Sequence, residues 1–240
     1  MLRIIDARTG EPVAAAPVRR GLTLVEAHAS GYGTGTLRVL LVADVLVRAL
    51  ELGGTPVLAL LTGEHRQAEL RGAGTALGIR PFEDGRDFGA GIGEAQALHV
   101  VREGGEEPEG VRIAVAPVLA APAEPPAAPT AVRLALLSRH HRDPVPLDAD
   151  ALREAQDTLV RWRRAVAGWA RRPSRPVPDE VRGRLRTAWE DDLDLPAVLR
   201  VLRSVEEAGP ELPDGARFET YAYADRLLGL DLTRDLGAPA

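Results

Sequence analysis

Gly21-Leu22-Thr23-Leu24-Val25-Glu26-Ala27, then Ser30-Gly31-Tyr32-Gly33-Thr34-Gly35-Thr36, then Leu37 to Leu52, then Pro56-Val57-Leu58-Ala59-Leu60-Leu61: this run decides the fold. Residues 21–27 read as a strand, and the Gly-rich turn leads into a helix over 37–52 with apolar residues at helical spacing. Gly53-Gly54 stops it. The continuous apolar run 56–61 has the character of a strand buried on both faces, and a second helix is predicted over 64–77, ending at Gly78. Strand, helix, strand, helix at this spacing predicts a βαβ unit, hence a parallel sheet with right-handed crossovers.

Beyond this unit, residues 79–96 are irregular, and 97–101 and 111–116 read as two more strands around the acidic turn 103–110. Residues 117–130, PVLAAPAEPPAAPT, read as an extended Ala/Pro linker. The second half is helical: 131–142 broken before Pro144, a long helix capped by Asp148 or Asp150, then 181–189, 196–207 and 218–228. The long helix has the apolar stripe Leu152, Ala155, Leu159, Trp162, Val166 and Trp169, and Arg171-Arg172-Pro173 ends it. The expected architecture is α/β: a small Rossmann-type parallel-sheet domain over 1–116, a linker over 117–130 and an all-α helical bundle over 131–240.

Composition removes several chemistries. The 240 residues are 45% hydrophobic and 27% charged, an ordinary globular balance. There is no Cys, so disulfides, thiolate metal sites and a cysteine nucleophile are excluded. All 30 basic residues are Arg, which removes Schiff-base chemistry and a phosphate-cradling lysine. The longest apolar stretch, Val39 to Leu50, contains Asp44 and Arg48 and is too short to span a bilayer. Met1 to Asp6 lacks the apolar core of a secretion signal. A soluble, cytoplasmic protein with no membrane partner is expected.

The second half resembles a known family. Ala131-Val132-Arg133-Leu134-Ala135-Leu136-Leu137-Ser138-Arg139-His140-His141-Arg142-Asp143-Pro144 resembles the helix that enters the anticodon-side domain of cysteinyl-tRNA synthetases. Ala188-Trp189-Glu190-Asp191-Asp192-Leu193-Asp194-Leu195-Pro196 resembles that family's acidic stretch before a Pro-started helix. Asp225-Arg226-Leu227-Leu228-Gly229-Leu230-Asp231-Leu232 resembles its ending, shared with the related cysteine–glucosaminyl-inositol ligases of mycothiol synthesis. The three segments keep the family's order over about 100 residues. More loosely, residues 2–11 resemble the family opening, 21–27 its first Rossmann strand, and 58–62 its second.

The resemblance also shows what is missing. GYGTGTLR, residues 31–38, falls where the family's ATP-binding histidine signature belongs. Gly33 and Thr36 take the places of the two histidines, with Thr34 and Gly35 between them. Glycine amides and threonine hydroxyls can donate to phosphate, so Gly33, Thr34, Gly35 and Thr36 are read as a vestigial nucleotide site. They lack the charged, fixed donors that transition-state stabilisation favours. The family's second phosphate loop is built on lysines. Here Arg112 is the only base over 111–130, read as an exposed strand residue. The family's cysteine-bound zinc has lost its thiolate ligands. His28, His65 and His99 remain in the first half with Glu26 and Glu64 nearby, and zinc can be held by His and carboxylate, but no H-x-x-H or H-E-x-x-H spacing exists, so no zinc is expected. His28 is read as a strand-end residue, His65 as a helix start, His99 as a strand residue, and His140-His141 as helix neighbours that cannot converge on one ion. Glu190, Asp191, Asp192 and Asp194 are read as helix charges and caps, and Gly89 to Gly93 as a loop rather than a dinucleotide site.

Charge is uneven: residues 151–186 carry a net +6, and 187–240 a net −7. Arg161, Arg164 and Arg171 would share a helix sector that could meet RNA, since the family's bundle approaches tRNA. The leading expectation is a truncated, degenerate synthetase-like protein with no catalytic residue, acting as a binding or regulatory pseudoenzyme. A nucleotide such as ATP or an amino acid is its candidate ligand. The alternatives are an ATP-dependent amino-acid-activating ligase with rebuilt phosphate contacts, and a weak tRNA-binding module.

Overall fold

The structure is a computed structural model that describes residues 1–16, 22–63, 66–85, 96–120 and 127–237. Its centre is a five-stranded, all-parallel sheet. The strands are β3 (Thr23–His28), β4 (Val57–Thr62), β5 (Glu83–Asp84), β6 (Gln96–Arg102) and β7 (Val111–Val115), in the order β5-β4-β3-β6-β7. The chain builds outward from β3 to one edge, then returns to β3's other side for β6. The order therefore reverses between β3 and β6. Before the sheet, β1 (Arg3–Ile5) and β2 (Pro12–Ala14) pair antiparallel as a hairpin. Asp6 holds its turn, accepting from the amides of Arg8 and Arg112.

Helix α1 (Thr34–Leu52) is buried almost throughout. Val25, Ala27, Leu98, Val100, Ile113 and Val115 turn inward on the sheet and join its apolar residues in one core. The same core takes in α3 (Pro129–Leu137), α4 (Ala149–Trp169), α5 (Asp179–Glu190), α6 (Leu195–Glu206) and α7 (Asp214–Leu228). A helix that is apolar all round belongs inside, and α1 has the sheet on one side and bundle helices on the other. α2 (Gln67–Ala76) completes the βαβ unit.

Two buried charges on α1 bind the helical half to it. The Arg38 guanidinium donates to the carbonyls of Ala116, Pro117, His140 and Asp143. Asp44 accepts from Arg48, Arg80 and Arg133, and Arg133 also donates to the carbonyls of Leu77 and Leu228. In the bundle, Trp162 donates its ring N–H to Glu206, and Tyr221 its hydroxyl to the Leu202 carbonyl.

The structure departs from the sequence expectation at several points, among them a two-residue strand, β5, within the stretch 79–96 read as irregular. α3 stops at Leu137 rather than running to Arg142. Pro144 has no N–H to continue the ladder, Ser138 folds its hydroxyl back onto the Ala135 carbonyl, and Arg38 takes the His140 carbonyl. The segment read as linker contains β8 (Val118–Ala120), which pairs in parallel with β9 (Val145–Leu147). The acidic segment 103–110 is more than a turn. It joins two parallel strands, so it runs back along the sheet. Arg112 is half-buried and pairs with Glu107 at 3.4 Å, rather than standing exposed. His65 and the glycines 89–93 lie outside the described residues. Among those described, no helix is long and apolar enough to cross a membrane.

Candidate functional site

Open parallel sheets take ligands outside the carboxyl ends of their strands, where the strand order reverses. Here that crevice lies between β3 and β6, and Gly33 to Thr36 stand at its mouth. Gly33 is the N-cap of α1, with extended backbone and no side-chain cap, so the first amides of the helix keep no side-chain partner. A Cβ added at Gly33 or Gly35 would meet nothing within 4 Å. Thr36 is buried. The donors at this end of α1 are amides and hydroxyls. The guanidinium nearest along the helix, Arg38, is spent on four carbonyls. Arg66 stacks over the Tyr32 ring, 4.3 Å from its centre, while pairing with Glu69.

Behind this mouth, parallel register assembles a cluster that sequence spacing hides. Glu26 and His28 lie on the same face of β3, and β6 sets His99 directly beside Glu26. His99 Nδ1 stands 3.1 Å from His28 Nε2 and 3.2 Å from Glu26 Oε2, and His28 Nε2 stands 3.9 Å from that oxygen. His28 Nδ1 meets Glu106 at 3.0 Å. Thr62, the last residue of β4, donates its hydroxyl to the other oxygen of Glu26. The His99 contact holds the Glu26 carboxyl at about 2, against burial, which works upward, and with help from Thr62 and His28. Segment 103–110 crosses this face. Gly110 lies at φ 111° in the left-handed region, and a Cβ there would stand 3.3 Å from the His99 ring, so glycine fits on both counts. A cleft of about 370 Å³ opens alongside, lined in part by Glu106, Glu107, Arg112, His141 and Arg142.

A second cluster joins the helical half to the hairpin. With α3 ended early, His140 and His141 are not helix neighbours. Their rings lie 4.3 Å apart, and their Nε2 atoms stand 3.7 and 3.8 Å from Asp192 Oδ2. The helical reading that kept them from converging therefore does not apply. Asp192 accepts from the Ile5 amide through Oδ1, and its carbonyl lies 2.9 Å from His140 Nε2. Among the described residues, Asp192 Oδ2 and His141 Nδ1 are buried without a hydrogen bond. Of the neighbouring acids, Asp194 caps α6 through the Ala197 amide, as the sequence reading had it.

The three arginines read as an RNA sector are dispersed. Arg161 pairs with Glu206 at 2.8 Å, Arg164 is exposed, and Arg171 is exposed beyond the end of α4. Helical spacing holds for the first two alone. Arg163 points inward and donates to the carbonyls of Leu230 and Asp231.

Comparison with known proteins supplies the kinship. No protein-family model matches the chain. The L-cysteine:1D-myo-inositol 2-amino-2-deoxy-alpha-D-glucopyranoside ligase of Streptosporangium roseum is 38% identical over 107 residues, which is 43% of this chain and 25% of the ligase. The enzyme of the same name from Streptomyces griseus is 37% identical over the same length and shares. That of Segniliparus rotundus is 39% identical over 108 residues, 44% of this chain and 25% of its own. The chain is a relative of these cysteine ligases. The match spans about a quarter of their length. Kinship with the ligases agrees with the resemblance carried by residues 131–144, 188–196 and 225–232. The sequence reading named His28 and His99, with Glu26 nearby, as conceivable zinc ligands and set them aside for want of a metal-type spacing; the histidines are 71 positions apart, and only the sheet register brings them together. The signal available there was a polar residue at alternate positions of an otherwise apolar strand.

Proposed function

We propose that this ligase relative binds a small anionic ligand in the β3–β6 crevice without forming an adenylate. The supporting observation is the donor set at the start of α1: Gly33 to Thr36 offer amides and hydroxyls, and Arg38 is committed to four carbonyls. Losing one pre-organised donor from a site of developing charge costs roughly 10²–10³ in rate. Two neutral replacements make adenylate formation slow beyond use, while uncapped amides at a helix N-terminus still favour an anion. Kinship with the cysteine ligases favours the rival reading, an ATP-dependent amino-acid-activating ligase with rebuilt phosphate contacts.

Cysteine-dependent exchange of labelled pyrophosphate into ATP separates the two. The expected result with purified protein is no exchange above the no-enzyme background, together with a raised melting midpoint when ATP is added, since a ligand of the native state stabilises it by mass action. Robust cysteine-dependent exchange would establish the ligase reading instead. No midpoint shift with ATP would remove the nucleotide from the crevice.

A further inference from the structure

We propose that Glu26, His28 and His99 form a zinc-class divalent cation site at the carboxyl end of β3 and β6, with one coordination position left open. The site stands independently of the ligand reading above.

The first support is geometric. Zinc bound tetrahedrally at about 2.0–2.1 Å from N and O ligands requires those ligands to stand about 3.3–3.4 Å from one another. The three inward atoms stand 3.1, 3.2 and 3.9 Å apart. An ion enters this triangle with shifts of a few tenths of an ångström. All three ligands sit on paired strands with Glu26 opposite His99 in register, so the backbone holds the spacing before any ion arrives. The cluster around His140, His141 and Asp192 is looser, and its His140 Nε2 is already spent on a carbonyl.

The second support is the direction of the lone pairs. Glu106 accepts the Nδ1 proton of His28, which leaves Nε2 as a lone pair pointing into the triangle. Glu26 presents a carboxylate oxygen. His99 Nδ1 stands 3.1 and 3.2 Å from these two atoms. With the His99 hydrogen on Nε2, all three inward atoms present electron pairs to the triangle, the arrangement a cation needs.

The third is the outer layer. Metal-binding imidazoles give their other N–H to a carboxylate, and metal-binding carboxylates are themselves hydrogen-bonded. Glu106 and Thr62 hold those two places. Both imidazoles are more than nine-tenths buried, with side-chain exposures of 8% and 9%, whereas Glu26 is 24% exposed and Glu106 53%. The triangle is thus reached from the Glu26 and Glu106 side, where the open position takes a water or an anionic group. Two imidazole nitrogens with one carboxylate suit zinc and its transition-metal neighbours, and disfavour magnesium and calcium, which want oxygen.

The test uses the full chain, stripped with chelator and titrated with zinc by calorimetry and with cobalt by visible absorption. The expected result is one equivalent per chain at micromolar metal, a cobalt band of four-coordinate intensity, and tighter binding as pH rises, because protons compete with the metal for the ligand atoms. His99→Ala should abolish the equivalent. Glu106→Gln, a half-exposed position that leaves the fold alone, should weaken it by roughly 10–100-fold. Circular dichroism and the melting midpoint in chelator establish that each variant is folded. Absence of a saturable equivalent overturns the site. So does stoichiometric binding that both variants leave unchanged, which would place the metal elsewhere.

Discussion

Asp44 is 1% exposed and faces three guanidiniums, from Arg48, Arg80 and Arg133. Burial pushes its carboxyl upward, but Arg133 and Arg48 outweigh burial and hold it below the ordinary carboxylate value. Arg133 is fully buried, and Asp44 is the carboxylate it pairs with. Replacing Asp44 with alanine leaves that charge in the core with carbonyls alone. Breaking one side of a buried pair costs about 3–5 kcal/mol, so Asp44→Ala should lose that much in urea unfolding. Asp44→Ala with Arg133→Met should regain most of it. A single variant within about 1 kcal/mol of the parent would show that the pair contributes little net stability. The sequence exposed Asp44 and Arg48 as charges inside an apolar run, enough to exclude a membrane span. It could not show Arg133, 89 positions away, because a partner brought by tertiary packing leaves no local spacing. The same limit hid the pairing of His28 with His99, although each was placed in the right strand setting.

Elements with an internal period were legible, and those defined by a partner were not. β3, α1, β4 and α2 follow from alternating apolar runs and glycine stops, and α4 from its stripe with Asp148 as cap. The short strands β1, β2, β8 and β9 have three residues each, too few to show a period. The turn after α3 is of the second kind. It places His141 between Asp192 and the Arg38 clamp. Burial, then His140, Arg142 and Arg38, press the His141 pKa well below 6.5, so it is neutral in the folded state. The unfolded chain takes up this proton first as pH falls. Stability from His141 is therefore complete above about pH 6.5 and declines below it, by up to about 1.4 kcal/mol per pH unit. The urea midpoint should fall between about pH 7.5 and pH 5.5, and His141→Phe should flatten that fall. An unchanged slope would mean that the imidazole finds water or a partner when charged. Asp192 works in the opposite sense: burial raises its carboxyl, so its contribution is lost as pH rises rather than as it falls.

For the whole molecule, the formal charge of −5 opposes phosphate at long range. The surface around α4 interleaves the two signs: Arg161 meets Glu206, and Arg153 meets Asp150. We expect tRNA retention only in the non-specific range of roughly 10⁻⁴–10⁻⁶ M, falling steeply with salt. Replacing Arg161, Arg164 and Arg171 together with glutamate should lower it further in a filter-binding salt series. Tight, salt-insensitive retention would establish a specific RNA role, and equal retention by both proteins would reduce the arginines to a solvated face.

Among the described elements, helix α1 packs against β3, β4, β6 and β7 of the sheet, against β8, and against α2 and α7. Its first turn borders the crevice, Arg38 follows at the next turn and grips the β7–β8 passage together with the turn after α3, and Asp44 holds Arg133 two turns further on. Close-packed interiors transmit displacement rather than absorb it. The helix is a shaft with fittings at both ends: whatever occupies the crevice leans on its tip, and the bundle rides on its barrel. Under the ligand proposal made above, seating the ligand and aligning the bundle would be two readings of a single mechanical coordinate.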